Sequence, residues 1–370
     1  MPPGHPADAL PPAGAGRRVV LRHRLPDGSA TDLVGVLVAD GPVLAVRRDD
    51  GELVLVGRDD VLAARPVPPR TQRRSRQGGA GDAAGEPGPP VVGVLDLEAT
   101  LARVWLPGEV ARSGRWLLRS ARDLTRRASS VLVLGRPGPE LLPQERGGDD
   151  LVTAVERAAA WQRAHGSTPR FQLPHAAGVP VGAAARADAA GLAVAADVDH
   201  LLAQQGWPQV SRTTVLVGRT GDLAGGPAPA GVTVGLADAP SRAWSGVVRP
   251  DEDDPVVEAL LRSAPEQVFV TLAADGAGPA AVAAGRMALA DGWAVVTDVA
   301  VRPEHRRQGL GRAVLHALAG WAIPRQETPA GPPPRVALQV ADRNDAARAL
   351  YDSLGLVEHH RYAYREHPGG

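Results

Sequence analysis

Gly309 and Gly311 stand between an apolar run over 293–301 and a helical pattern over 312–322, with Arg306, Arg307 and Gln308 just before them. A strand that turns sharply into a helix points several backbone N–H groups one way, because the first helical turn offers them no internal partner. Such a helix start binds anions, and residues without a Cβ let a bulky phosphate approach the main chain. Arg306, Arg307 and Arg312 add fixed positive charge at the rim. The turn is not a dinucleotide fingerprint, which needs a third glycine where the chain has Val314. From residue types alone, an anion site and an ordinary tight turn both stay open.

Other reactive groups are few. Tyr351 carries a phenol, neutral at physiological pH and able to donate a proton; it also suits an amphipathic core position. Asp298 is the only acid in the run 293–301, and strict alternation puts it on the face opposite Thr297 and Val299. It reads equally as a general base and as an edge residue. His305 and the pair His359–His360 match no metal-ligand spacing, so no metal is expected. The run Asp251-Glu252-Asp253-Asp254 reads as the charged cap of a helix start, or as an attractor for a cationic substrate. The chain has no cysteine and no lysine, its 41 basic residues all being arginine, which excludes thiolate, Schiff-base and Walker-type chemistry.

The flanks of the turn carry more information than the turn itself. The stretch Val299-Ala300-Val301-Arg302-Pro303-Glu304 leads into Arg306-Arg307-Gln308-Gly309-Leu310-Gly311, and Asn344-Asp345-Ala346-Ala347-Arg348-Ala349-Leu350-Tyr351 with Leu354-Gly355-Leu356 follows after one helix and one strand. This order resembles the two motifs of the GNAT N-acetyltransferase superfamily, with Leu356 in place of the usual Phe. The resemblance implies an N-acetyltransferase that uses acetyl-CoA and acts on a primary amine of a small molecule or peptide. It implies main-chain contacts to the pantetheine arm from Val299, Ala300 and Val301, and pyrophosphate contacts from Arg306, Arg307, Gln308, Gly309, Leu310, Gly311 and Arg312. Asn344 would bond the pantetheine, Tyr351 would protonate the departing thiolate, and Asp298 is the candidate base. A non-catalytic acyl-CoA-responsive binding protein is the alternative.

These residues need a scaffold, and composition suggests more than one unit. The chain has 370 residues, with 43 Gly and 35 Pro, so part of it is expected to be linker. Residues 1–16 are expected to be disordered, and five short β-runs over 17–69 predict a small SH3-like barrel. Residues 70–91, with Arg73-Arg74-Ser75-Arg76, read as a flexible linker whose arginines are a solvated tether, so nucleic acid is not expected as a partner. Residues 92–224 mix helical and strand patterns and echo the last region. Leu202 takes the place of the tyrosine there, and no Arg-x-x-Gly-x-Gly turn is present, as in a degenerate GNAT-like lobe. Residues 230–367 are then expected to form the catalytic GNAT domain, within an α+β fold class and a tandem arrangement. No run approaches ~18 apolar residues, and the N-terminus lacks a secretion signal, so a cytoplasmic protein without a membrane partner is expected.

Overall fold

A computed structural model describes residues 18–24, 30–39, 43–47, 53–67, 92–141, 150–175, 183–226, 228–249, 254–275, 280–326 and 333–369. The expectations for 1–16, for 70–91 with its arginine cluster, and for Asp251 to Asp253 lie outside these residues. The chain divides into two units, Met1–Pro87 and Gly88–Gly370.

In the first unit, β1 (Arg18–Arg24), β2 (Ala30–Ala39), β3 (Val43–Arg47), β4 (Leu53–Gly57) and β5 (Val61–Val67) form one antiparallel sheet, ordered β4-β3-β2-β1-β5. Period-two patterning explains it. Val19, Leu21, Leu33, Leu37, Leu44, Val46, Val56 and Val61 turn to one side and form its core. This is the small five-stranded domain expected from the turn-separated runs.

The second unit is built on a single sheet of eleven strands. Its first half comprises α1 (Val94–Arg103), β6 (Glu109–Ser113), β7 (Trp116–Ser120), β8 (Val131–Val133), α2 (Asp150–Ala164), β9 (Arg170–His175), α3 (Ala183–Gln204) and β10 (Gln209–Arg219). Its second half comprises β11 (Val232–Ala237), α4 (Arg242–Val248), α5 (Pro255–Leu261), β12 (Gln267–Ala274), β13 (Ala283–Ala290), β14 (Trp293–Val301), α6 (Leu310–Gln326), β15 (Arg335–Ala341), α7 (Asp345–Asp352) and β16 (Val357–Glu366). The strand order is β11-β12-β13-β14-β15-β10-β16-β9-β8-β7-β6.

That order is close to a palindrome. Among the described residues the parallel pairs are β14 with β15 and β8 with β9, and each is bridged by one helix, α6 or α2. In each half the strand that ends the pattern crosses over: β10 pairs with β15, and β16 pairs with β9. The two crossing strands then pair with each other at the centre. The halves are therefore one duplicated pattern sharing a continuous sheet, rather than two separate bodies.

The core is laid on both faces. α6 packs Leu310, Val314, Leu315 and Leu318 onto β12–β15. α2 and α3 cover Phe171 and Leu173 of β9 in the same way. On the opposite face of the central strands, α1 buries Leu97 and Leu101 against Val215, Val295, Ala337, Tyr362 and Tyr364. Asp254 caps α5 by accepting from the Val256 N–H at 2.7 Å, which bears out the capping role for that member of the acidic run.

Two elements differ from the sequence reading. The pattern predicts a helix over 198–205, but α3 begins at Ala183. Within the Ala/Gly-rich stretch before 198, a Cβ on Gly191 would run into Leu95 Cδ1 and stand 3.0 Å from the Leu134 carbonyl. The glycine lets α3 press against neighbouring backbone. Strand β6 was not expected at all, because its half-exposed residues carry no apolar alternation.

Candidate acyl-transfer site

The site begins as a fault in β14. Arg286 of β13 faces Thr297 and Ala284 faces Ala300, so Asp298 and Val299 oppose Gly285 alone. Two residues against one is a β-bulge. Asp298 absorbs it with a left-handed φ of 55°, unusual outside glycine. Alternation fails at this point, so the face assigned to Asp298 by a strict period of two does not hold. Gly285 is needed for another reason: a Cβ on it would meet Val314 Cγ1 of α6 at 2.5 Å.

On its other side β14 pairs with β15 only as far as Val296 opposite Leu338. Beyond that point the strands part, opening a cleft of about 180 Å³. Asp298, Val299, Gln339, Asn344, Ala347 and Tyr351 are among its lining residues. Four predicted site residues, Asp298 and Val299 of β14, Tyr351 of α7 and its cap Asn344, are thus brought together.

Past the bulge, Ala300 and Val301 lead into a short 3-10 turn over Pro303–His305. Arg307 (φ 61°) and Gly309 (φ 77°) then take left-handed conformations before α6 starts. The helical ladder opens with Ala313 N–H donating to the Gly309 carbonyl at 3.0 Å. Helix geometry leaves the N–H groups just before Ala313 without intrahelical partners, and Arg306, Arg307, Gln308 and Gly309 are exposed. Leu310 contributes main chain only, since its side chain is in the core.

The two glycines do different work. A Cβ on Gly309 would meet nothing within 4 Å, so its requirement is conformational. A Cβ on Gly311 would meet Leu350 Cδ2 at 3.3 Å and Val301 Cγ2 at 3.8 Å, so this glycine lets α6 approach α7 and the end of β14. Arg306 donates from Nε to the Val301 carbonyl at 3.3 Å. Arg312 donates to Ser353 Oγ at 2.6 Å, and Ser353 in turn donates to the Leu350 carbonyl at 2.7 Å, tying the turn to the end of α7.

Tyr351 is buried, and that burial pushes its phenol up to about 12, so it stays protonated. Asn344 caps α7, its Oδ1 accepting from the Ala347 N–H at 3.2 Å. Its side-chain carbonyl is thereby committed to the helix, leaving the amide N–H groups for a ligand. Asp298 Oδ1 accepts from Arg249 Nη2 at 3.3 Å, while its buried Oδ2 has no hydrogen-bond partner in the structure.

Several participants were not legible beforehand. Arg249, just past α4, is one of 41 basic residues and carries no motif. Gln339 lies between two core residues of β15, Leu338 and Val340, where the pattern marks only an alternate face. Arg286 is fully buried beside Asp298's strand, held by Gln267 Oε1 at 2.7 Å, the Val104 carbonyl at 3.1 Å and Thr297 Oγ1 at 3.3 Å. Burial pulls its guanidinium down to about 10, so it remains charged. Trp105 of the first half, also buried, stacks the guanidiniums of Arg127, Arg286 and Arg249 at 4.9, 5.3 and 5.7 Å from its ring centre.

In the first half, an apolar residue takes the position that corresponds to Tyr351. Leu202 is fully buried among Phe171, Leu173 and Trp207. Among the described residues no group of three or more His, Asp or Glu could hold a metal. Among them also, no helix is long and apolar enough to cross a membrane.

A bulged strand that parts from its parallel neighbour and runs through an Arg/Gly turn into a helix defines the GCN5-related N-acetyltransferase fold, and the second unit repeats its pattern. The family model described as "Probable histone acetyltransferase Rv0428c C-terminal" matches residues 93–365, and the chain belongs to that family of acyltransferases. A second model, "Rv0428c N-terminal Sm-like domain", matches 13–65, so the small β domain expected to be SH3-like is matched as Sm-like. Among solved structures, a GCN5-related N-acetyltransferase from Kribbella flavida is 22% identical with a TM-score of 0.50, covering 75% of this chain and 96% of that one. A GCN5-related N-acetyltransferase from Sphaerobacter thermophilus is 19% identical (TM-score 0.45, covering 64% and 72%). A tandem GNAT protein from the clavulanic acid biosynthesis pathway is 18% identical (TM-score 0.48, covering 76% and 90%). No curated protein matches the chain in sequence.

Proposed function

We propose that the chain transfers an acetyl group from acetyl-CoA to a primary amine of a small molecule or peptide. Residues 230–367 do the chemistry, and residues 92–224 form a degenerate lobe without a cosubstrate site. The observation that carries this reading is the cleft between the parted ends of β14 and β15, which joins an open helix-start turn to a buried, protonated Tyr351.

The residues present fit the cosubstrate. The N–H groups from Arg307 to Arg312 suit the pyrophosphate, with Arg306 and Arg307 adding charge. Main-chain groups freed where β14 loses its partner, at Val299, Ala300 and Val301, suit the amides of the pantetheine arm, and Asn344 offers its side-chain N–H groups beside them.

The reaction joins the amine nitrogen to the thioester carbonyl carbon and breaks the carbon–sulfur bond. An ammonium must lose one proton before it attacks and a second after the carbon–nitrogen bond forms. Asp298, whose Oδ2 is unpartnered, is the group placed to accept the first, with Arg249 holding the other oxygen. Tyr351 donates to the sulfur as it leaves; one of the two nitrogen protons ends on the thiol and the other in solvent.

Calorimetric titration with acetyl-CoA, followed by turnover against a panel of amines for the parent and Asp298→Asn, tests the proposal. Binding in the micromolar range and a loss of kcat/KM of roughly 100-fold in the variant are expected. Absence of acetyl-CoA binding, or an active enzyme indifferent to Asp298→Asn, would overturn the corresponding assignment.

A further inference from the structure

Buried polar side chains are nearly always hydrogen-bonded, so those that are not call for a reason. Three such atoms fall in one place. They are Oδ2 of Asp298 and both Oε1 and Nε2 of Gln339, and the two residues line the same cleft. Gln339 sits in β15 opposite Val215 of β10, between Leu338 and Val340, whose side chains belong to the core beneath α6. Its own side chain therefore projects from the other face of the sheet, the face on which Arg286 and Asp298 meet Trp105 and Arg249. The turn that suits the pyrophosphate, by contrast, leads into α6. An amide left with neither donor nor acceptor matched, next to a carboxylate oxygen in the same state, is complementary to a ligand that supplies both kinds of partner at once.

We propose that Gln339 determines acceptor specificity by pairing with an amide group that flanks the reacting amine, so that the preferred acceptor is the free α-amine of a peptide or aminoacyl amide. The ammonium donates to Asp298 Oδ2. In an extended acceptor the N–H and C=O of the residue after the reacting amine lie side by side, the C=O accepting from Gln339 Nε2 and the N–H donating to its Oε1. A plain alkylamine, or a side-chain amine far from any amide, leaves the Gln339 amide unmatched, and sites built to hydrogen-bond a substrate reject analogues that lack the group. This rests on the acetyl-transfer reading above and names the acceptor for that site.

The test compares alanylglycine amide with propylamine as acceptors, in the parent and in Gln339→Leu, with acetyl-CoA affinity by calorimetry and thermal unfolding run beside it. The parent is expected to favour the amide-flanked acceptor by roughly tenfold or more in kcat/KM. In Gln339→Leu that ratio falls by roughly tenfold, mostly through KM, while acetyl-CoA affinity is unchanged. The variant melts no lower than the parent, since leucine relieves two unmatched atoms; this separates lost recognition from lost fold. Gln339→Asn, which keeps the amide but shortens its reach, should also lose the preference. An active parent whose ratio does not move in the leucine variant overturns the proposal. So does a parallel loss of acetyl-CoA affinity, which would place Gln339 on the cosubstrate. A parent that binds acetyl-CoA but acetylates neither amine removes the acetyl-transfer reading itself, and this one with it.

Discussion

Replacing Tyr351 by phenylalanine removes one oxygen from the cleft and leaves the ring in the core that α6 and α7 share. Burial raises the phenol from 10.0 to about 12, which corresponds to about 3 kcal/mol of preference for the neutral form. A thiol ionises near about 8.5, so complete transfer of the phenolic proton to a free thiolate is uphill by roughly 5 kcal/mol. In the proposed reaction the hydroxyl therefore serves as a hydrogen-bond donor that keeps its proton, and the departing sulfur takes its proton from the nitrogen as the carbon–nitrogen bond matures. A hydrogen bond to a charged group is worth roughly 1.5–3 kcal/mol, so kcat should fall roughly 10- to 150-fold. Thiol release, followed with a thiol-reactive dye, reads kcat, and calorimetry reads acetyl-CoA affinity, which should stay within about threefold. In the parent, the tyrosine contributes no alkaline loss of kcat near pH 10, because the folded phenol holds its proton until about 12. An unchanged kcat in Tyr351→Phe, or an affinity loss as large as the rate loss, would refute this role.

The two glycines of the turn should separate in their effects. Gly309→Ala meets no neighbour but forces a side chain into a left-handed φ of 77°, at about 1–2 kcal/mol; calorimetry should show acetyl-CoA affinity down by tenfold or more, with only a small change in Tm. Gly311→Val drives atoms toward Leu350 and should lower Tm by several degrees as well as weakening binding, so a variant with the parent's Tm would contradict the packing role. A pH effect on stability is also expected at His359. Burial, then the neighbouring His360, lower its ring to about 4, whereas the unfolded chain binds the proton near 6.5. Its contribution is intact above about 6.5 and is lost as pH falls toward 4, up to about 3 kcal/mol. Thermal unfolding from pH 7 to 4.5 should therefore show a decline that His359→Gln flattens.

The sequence carried the scaffold of the site well and its fine chemistry poorly. The limits of β14 follow from a continuous apolar run, and the place of α6 follows from a turn that only glycine permits. Asn344 and Tyr351 were legible through the resemblance of the segment 344–356 to the second GNAT motif; that Asn344 also caps α7 emerges only from the structure. The bulge at Asp298 left no such mark, because a non-glycine residue in a left-handed conformation is imposed by the strands beside it. Arg249 and Gln339 stayed hidden for a related reason: their importance lies in partners distant along the chain, or in lacking one. The crossing of β10 and β16 was equally invisible, since a strand's pattern records what it buries and not which neighbour it pairs with.

That crossing has a bearing on how the molecule is made. Strand β10 is synthesised long before either of its neighbours, β15 and β16, and β9 also waits for β16. The first half therefore leaves the ribosome with three unsatisfied strand edges, two on β10 and one on β9, and cannot finish its own sheet. Closure comes only after the second half has been synthesised, through contacts far apart in sequence, which makes folding slow and the whole unit cooperative. Neither half completes its own sheet alone: β9 and β10 wait for β16 of the second half, and β15 and β16 are edged by β10 of the first.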